Sequence, residues 1–385
     1  MNRSHPGADR AVSAWLFLCA AMVFAMVVIG GITRLTESGL SIVEWQPLVG
    51  AIPPLSEADW QALFRKYRLS PQFQQVNRGM ALEQFKTIFW WEYVHRLWGR
   101  LIGLVFLVPF LWFVWRGRLH GAMAWKLAGI FALGGLQGAM GWYMVASGLV
   151  DRPEVSQYRL VAHLGLAVLI YALLLWQAMT LWRAPGGSSV ESPLPFQEGE
   201  EGGLRRAASA LLALIALTML AGGFVAGLDA GMIYNTFPLM ESRIVPPDYG
   251  TMRPWWRDWF ENRATVQFHH RVLGIATLGA VLAYVPWVMR RATRQTEGAL
   301  RQTQGEEKRG VLMVSLSNHE ATCRAAIALL LLTSLQVALG IATLLLIVPI
   351  PLAALHQAGA MALLTAALWV RFELRRPAAV ATTVL

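Results

Sequence analysis

Long apolar runs separated by polar stretches dominate the chain. Runs of about 20 residues, enough to cross a hydrocarbon core, fall near positions 12–32, 90–115, 122–146, 157–182, 207–227, 265–289, 324–348 and 350–371. The pattern predicts eight helices, the last two parted at Pro349 and Pro351, where proline cannot continue a helix. The first run is too long for a secretory leader and a second span follows, so it reads as a helix. Composition agrees with the pattern. Of 385 residues 56% are hydrophobic and 15% charged, with 17 Trp and 16 Phe, a balance that soluble domains rarely have. The expected fold class is an all-α integral membrane protein with eight transmembrane helices.

Charge then fixes the expected orientation. The net charge of +10 would suit a nucleic-acid partner, but the segments on the side of the two termini hold 18 Lys and Arg against 11 on the other side, where 12 acids accompany them. The positive-inside rule places both termini in the cytoplasm, and no nucleic acid is needed to explain the charge. The two cysteines, Cys19 and Cys323, are too far apart in sequence for a CxxC pair and indicate neither a zinc site nor a disulfide framework.

The two halves of the pattern repeat. Gly30-Gly31 through Glu37 to Gly39, after the first run, returns as Gly222-Gly223 through Asp229 to Gly231 after the fifth, with Pro47 and Pro238 following. Glu92, His95, Arg96 and Gly99 return as Gln267, His270, Arg271 and Gly274. Leu136-Gln137 and Gly141 return as Leu335-Gln336 and Gly340, and Ala162-His163 as Leu355-His356. Four matches in one order predict two tandem, pseudo-symmetric four-helix bundles. The expected units are residues 1–183 and 207–385, joined by a cytoplasmic linker at 184–206 that is rich in Gly, Ser, Pro and Glu. A polar stretch at about 290–321 reads as an insertion in a cytoplasmic loop. His5, His120 and His319 fall in or beside the cytoplasmic segments and read as surface residues.

The remaining histidines lie in apolar runs, where ionisable groups are expensive and usually functional. Four of these five form one pair per unit, His95 with His163 and His270 with His356. Each is expected five or six residues inside its helix, roughly 8 Å at 1.5 Å per residue, so all four share one level near the extracytoplasmic face. Two imidazoles on facing helices can clamp a planar macrocycle, and bis-histidine haem ligation is the leading reading. Zinc or copper would want three or four ligands. His269 points about 100° away from His270 and reads as an outer or lipid-interface residue. Arg96 and Arg271 follow ligand positions directly and are candidates for pairing with haem propionates, with interfacial snorkelling as the alternative.

A simple electron-transfer cytochrome could use such a duplicated scaffold, so the differences carry more information. Glu92 faces Gln267 across the repeat, so only the first unit offers a carboxylate. Glu92 is the candidate catalytic proton acceptor, against the plainer reading of an ion pair with Arg96 one turn on. The first loop is longer, with amphipathic stretches at Trp60–Tyr67 and Phe73–Phe85 that are expected to lie on the bilayer and cover the first site. The first unit therefore reads as the reactive site and the second as the holder of a fixed redox cofactor. A dihaem b-type electron-transfer cytochrome linked to quinone, and a haem transporter, are the rival readings.

These residues resemble the haem A synthase family. The resemblance rests on Glu92-Tyr-Val-His95-Arg96, on His163 with Leu164 and Ala167, on Phe268-His-His270-Arg271 and His356-Gln357, and on the run from Gly30 to Ser41 with Trp45 and Pro47. It implies an oxidoreductase that converts the C8 methyl of haem O to a formyl group through an alcohol, giving haem A for cytochrome c oxidase. It implies haem b, with its iron, on His270 and His356, substrate haem near His95 and His163, and catalysis by Glu92. The implied partners are an electron-transfer protein, haem O synthase and cytochrome c oxidase assembly factors, besides the lipid bilayer, with a homo-oligomer as a further expectation. No cysteine lies between Thr33 and Phe89, so the chain is similar to the branch without a loop cysteine pair, which includes the mitochondrial enzyme. The few residues before the first run include Asp9 and do not read as an Arg-rich transit peptide. A bacterial inner membrane is the expected location.

Overall fold

A computed structural model of the chain describes residues 6–44, 49–148, 155–183, 198–302 and 307–375. Trp45, Pro47 and residues 184–197 of the linker lie outside the described residues, as does His5. The long helices are α1 (Pro6–Leu35), α4 (Leu82–Trp115), α5 (Gly121–Gly148), α6 (Gln157–Arg183), α7 (Glu198–Gly227), α9 (Arg263–Gln302), α10 (Glu307–Leu345) and α11 (Ile350–Glu373), with short helices α2 (Glu57–Arg68), α3 (Pro71–Gln75) and α8 (Trp255–Glu261) in the connections. Among the described residues there is no strand, only one isolated bridge between Met240 and Arg243.

Seven of these helices, α1, α4, α6, α7, α9, α10 and α11, are long and apolar enough to cross a membrane. The third expected run is helical throughout as α5, yet it falls outside the seven. Gln137 and the glycines at 129, 134, 135, 138 and 141 dilute its hydropathy, while its packing against α6 and α4 is that of a bundle member. In the first half α1 packs on α4 and α6, and α5 on α4 and α6. In the second half α7 packs on α9 and α11, and α10 on α9 and α11. The halves meet through α1 with α11, α6 with α7, and α6 with α11. One apolar core runs through both, from Leu16 and Cys19 of α1 across Leu174 and Ile215 to Leu329 and Met361.

Two local expectations need correction, the start of the second helix and the reading of the stretch at 290–321 as a loop. The second apolar run was expected to begin at 90, but α4 begins at Leu82, because Phe85, Ile88 and Phe89 pack with Tyr67 of α2 in an aromatic cluster over the loop. His95 therefore stands thirteen residues into α4, against six or seven for the other three histidines, and helix starts are not a common depth mark. The stretches at Trp60–Tyr67 and Phe73–Phe85 become α2, capped by Ser56, then α3 and the first turn of α4, and they pack onto α4. Finally, the polar stretch at 290–321 is helical through Gln302 and again from Glu307, extending α9 and α10; its Ala, Arg, Gln and Glu are good helix formers.

Both halves leave their first helix the same way. Glu37 (φ 53°) and Asp229 (φ 49°) occupy the left-handed region at matching positions. After α1 the Ser38 N–H reaches back to the Thr33 carbonyl at 3.0 Å, the closure of a Schellman-type end. The chain is thereby turned across the histidine end of the bundle in each half.

Candidate functional site

Four glycines make room for four histidines. A Cβ placed on Gly30 of α1 would stand 2.9 Å from Cε1 of His95, and one on Gly222 of α7 would stand 3.0 Å from Cε1 of His270. The second histidine of each pair repeats the arrangement, with Gly141 at 3.2 Å from His163 and Gly340 at 2.9 Å from His356. Each imidazole edge rests close against the backbone of the neighbouring helix, where a side chain would push the ring aside. The next glycine in each pair serves the other half of the molecule. Gly31 admits Gln357, whose amide donates to the Val27 carbonyl at 2.9 Å, and Gly223 admits Val161 and Leu164. The repeated Gly-Gly thus sets each bundle's histidine with its first residue and the contact between bundles with its second.

The ring spacing of the second histidine pair is close to that of two imidazoles on one metal ion. The centroids of His270 and His356 are 6.4 Å apart with their planes at 84°. Two metal–nitrogen bonds of about 2 Å plus a little over 1 Å from each nitrogen to its ring centre span roughly 6 Å. His270 Nδ1 lies 3.1 Å from the Thr218 carbonyl, the kind of bond that leaves Nε2 for a metal. The helices behind are fixed alike in both halves, since Gln137 donates to the His163 carbonyl at 3.1 Å and Gln336 to the His356 carbonyl at 2.9 Å. Nδ1 of His95, His163 and His356 is buried without a protein partner.

The arginines hold the loops. Arg96 donates from Nη2 to the Ile42 carbonyl at 2.9 Å and from Nη1 to that of Glu44 at 3.3 Å. Arg271 does the same at the repeated positions, to Tyr234 at 2.5 Å and to Thr236 at 2.7 Å. Beside this shared grip the halves part. Glu92, 3% exposed, takes Nε and Nη2 of Arg96 on Oε1 at 3.0 and 2.5 Å, and the Ser41 hydroxyl and the Ile42 N–H on Oε2, both at 2.7 Å. Gln267 is equally buried, but its amide donates to the Tyr234 carbonyl at 3.2 Å, while its Oε1 and Nε of Arg271 are buried without protein partners. The ion pair between Glu92 and Arg96 is therefore present, and a carboxylate with four donors is an anchored anion.

His269 does not join its neighbour. Its ring packs 5.1 Å from that of Trp259, with Nε2 3.2 Å from the Tyr249 hydroxyl, in the aromatic loop of the second half. That loop is also held by Asp258, which accepts from Thr265 at 2.6 Å and from the Gly250 and Met252 N–H groups at 3.0 Å. Burial pushes its carboxyl up, but Thr265, Met252, Asn262 and Gly250 together outweigh that and hold it below the usual range. Sequence reasoning missed Ser41, the loop carbonyls and the role of the glycines. The repeat already held the first of these signals, for it sets Ser41 opposite Ile233 just as it sets Glu92 opposite Gln267.

Comparison with known proteins covers nearly the whole chain. The profile of the cytochrome oxidase assembly protein family (COX15-CtaA) matches residues 13–304 and 310–368. A protein of Nitrosospira multiformis named "Heme A synthase" is 52% identical over 96% of this chain and 94% of its own length. Proteins of the same name from Nitrosomonas eutropha and Rhodospirillum centenum are each 49% identical, over 93% and 96% of this chain and 92% and 90% of their own lengths. With its duplicated histidine pairs inside the matched residues, the chain belongs to the cytochrome oxidase assembly protein family.

Proposed function

We propose that this protein is a haem A synthase, an oxidoreductase that takes the C8 methyl group of haem O to a formyl group through an alcohol and so supplies haem A for cytochrome c oxidase. The observation that carries the reading is the single carboxylate. Two sites share their histidines, glycines, glutamines and arginine grip, and only the first holds Glu92 where the second holds Gln267. Two sites built only to pass electrons would not need that difference. The names of the relatives, at about half identity over nearly full length, support the same reading.

In this proposal eight helices, α5 among them, span a bacterial inner membrane as two four-helix units, residues 1–183 and 207–385, with both termini cytoplasmic and the histidine end extracytoplasmic. His95 and His163 hold and orient the substrate haem. His270 and His356 hold haem b, and the 6.4 Å separation of their rings supports this; when bound, haem b supplies electron transfer for the first site. In each of two two-electron oxidations the reacting carbon gives two electrons to an external acceptor and gains a hydroxyl from water, with one proton released from the carbon and one from the water. Glu92 takes a proton or steadies the positive charge, and the resulting geminal diol loses water to give the aldehyde. Arg96 keeps the loop of Ile42 and Glu44 closed over the site. Arg271 retains a buried donor without a protein partner, which suits a propionate, whereas Nε, Nη1 and Nη2 of Arg96 are already engaged. An electron-transfer protein, haem O synthase and oxidase assembly factors are the partners such a step requires.

The test uses the purified protein with haem O supplied and its pigments separated by chromatography. Wild type is expected to carry haem b together with haem O, the alcohol and haem A. Glu92→Gln is expected to keep both haems and lose haem A. Haem b alone in the wild type would overturn the reading, and undiminished haem A in the variant would remove Glu92 from the mechanism.

A further inference from the structure

The shared arginine grip supplies a frame for comparing the halves atom by atom. Arg96 on Ile42 and Glu44, and Arg271 on Tyr234 and Thr236, fix the register of each loop against its helix. In that register Ser41 stands where the second half has Ile233, and Glu92 where it has Gln267. The hydroxyl and the carboxylate occur together and disappear together. We infer that Ser41 is a positioning residue for Glu92, setting the carboxylate for the reaction at the first site; this rests on the reading of Glu92 given above.

The geometry says why a hydroxyl is needed. Oε1 of Glu92 is held by a planar guanidinium and Oε2 by the Ile42 N–H, and neither donor can turn away without moving backbone or breaking the ion pair. The Ser41 hydroxyl is the exception. It donates to Oε2 at 2.7 Å and has a second acceptor, the Ile88 carbonyl, at 3.4 Å, so it can release the carboxylate by rotating one torsion. Ser41 is 2% exposed and Glu92 3%, so bulk water does not reach the pair to replace the lost bond. Ile233 offers no donor, and Gln267 bonds the loop carbonyl directly. Ser41 thus fixes the plane of the carboxylate at rest and is the one contact on Oε2 that can be given up during turnover.

The experiment compares Ser41→Ala and Ser41→Thr with wild type in the full-length protein supplied with haem O. Losing a hydrogen bond to a charged group is expected to slow haem A formation about ten- to hundredfold in Ser41→Ala. Haem content should stay at the wild-type level, and the infrared carboxylate band, identified by its absence in Glu92→Gln, should shift. Ser41→Thr, which keeps the hydroxyl, should restore rate and band. A merely structural role would lower haem content in step with rate and leave the band in place; that result, a wild-type rate in Ser41→Ala, or no rescue by threonine would overturn the inference. Should Ser41→Ala fail to accumulate, Ser41→Cys, similar in size with a weaker donor, carries the same test, and a wild-type rate in it would count against the role. The two proposals fail separately. A fully active Glu92→Gln removes Glu92 from the mechanism and the role of Ser41 with it, whereas an inactive Glu92→Gln beside a fully active Ser41→Ala removes only the role of Ser41.

Discussion

At the first site the arginine grip on the loop has an anion beside it, four donors deep; at the second the same grip stands beside an amide with one bond made and one acceptor left over. The loop carbonyls, the glycine seats and the glutamine props behind the second histidine of each pair are common to both. Two buried side chains set the halves apart: Glu92 against Gln267 changes the charge, and Ser41 against Ile233 changes the donors. A duplicated frame can carry two different buried polar arrangements on the same pattern of helix packing. The comparison also shows why charge cannot simply be moved across. A carboxylate at the second site would meet Arg271 but no hydroxyl, since Ile233 has none to give.

The largest expected effect comes from exchanging those residues. Glu92→Gln should lower haem A formation by about a hundredfold or more, the range of general acid–base contributions, because glutamine keeps the shape and removes the charge. Gln267→Glu should leave haem A formation within a few-fold of wild type. It should also lower thermal stability by about 1–3 kcal/mol, the cost of a buried acceptor missing a donor. Chromatography of extracted haems and thermal unfolding of the two purified variants check both halves of this statement. A loss of haem A as large in Gln267→Glu as in Glu92→Gln would mean the sites are not divided in this way.

Much of this was legible before any coordinates, and the reason is physical. Burial in a bilayer makes an ionisable residue costly, so His95, His163, His270, His356 and Glu92 stood out of an apolar background by chemistry alone. The helices were legible through the length of their apolar runs, and their ends were not. α4 starts eight residues earlier than its apolar run because Phe85, Ile88 and Phe89 answer to a loop cluster and not to lipid. The loop contacts were hidden for another reason, since Arg96 and Arg271 bond backbone carbonyls, which every residue has. The stretch at 290–321 misled because polar composition was read as a loop, when the same residues are strong helix formers.

A smaller effect tests whether each glycine serves its own half. Alanine at Gly222 puts a methyl 3.0 Å from the His270 ring, and alanine at Gly30 puts one 2.9 Å from the His95 ring. Overpacking of this kind costs about 1–3 kcal/mol, enough to loosen a ligand without unfolding the bundle. Gly222→Ala is expected to lose haem b in part and keep substrate haem, and Gly30→Ala the reverse, read as haem-to-protein ratios after extraction. If both variants lost the same haem, the assignment of one haem to each pair would be wrong.

Acid tests the loop of the second half. The carboxyl of Asp258 is depressed on folding, despite its burial, by the hydroxyl, amide and N–H groups around it. A group depressed in this way stabilises the fold above its unfolded pKa of about 3.9 and loses that contribution as pH falls through its folded value. Protection of the Gly250 and Met252 amides from hydrogen exchange, corrected for intrinsic rates, should therefore fall as the solution is taken below about pH 4. Asp258→Asn should flatten that dependence. Protection that rose on acidification, or that fell equally in the asparagine variant, would assign the effect to some other group. The corresponding cover of the first site is built on an aromatic cluster of Tyr67, Phe85 and Phe89.

The smallest expected effect concerns an ion pair between the two first-helix exits. Arg34 forks onto Asp229 at 3.0 and 2.9 Å, joining the halves, yet the repeat provides no reciprocal pair because Ala226 stands where the first half has Arg34. Arg34 is 26% exposed and Asp229 48%, and surface pairs of this kind contribute about 0–1 kcal/mol. Asp229 also holds a left-handed backbone at φ 49°, which asparagine tolerates and alanine does not, so Asp229→Asn isolates the charge. The variant should lose less than about 1 kcal/mol of stability, and the loss should vanish at high salt, where screening has already removed the pair from the wild type. The same halves are joined within the bundle by Gln357 on the Val27 carbonyl and by the Tyr171 and Thr365 hydroxyls at 2.6 Å, where salt does not reach. A large, salt-independent loss in Asp229→Asn would therefore mean that the loops dock the two halves, whereas a small, salt-sensitive one leaves docking to the glycine-lined contacts between helices.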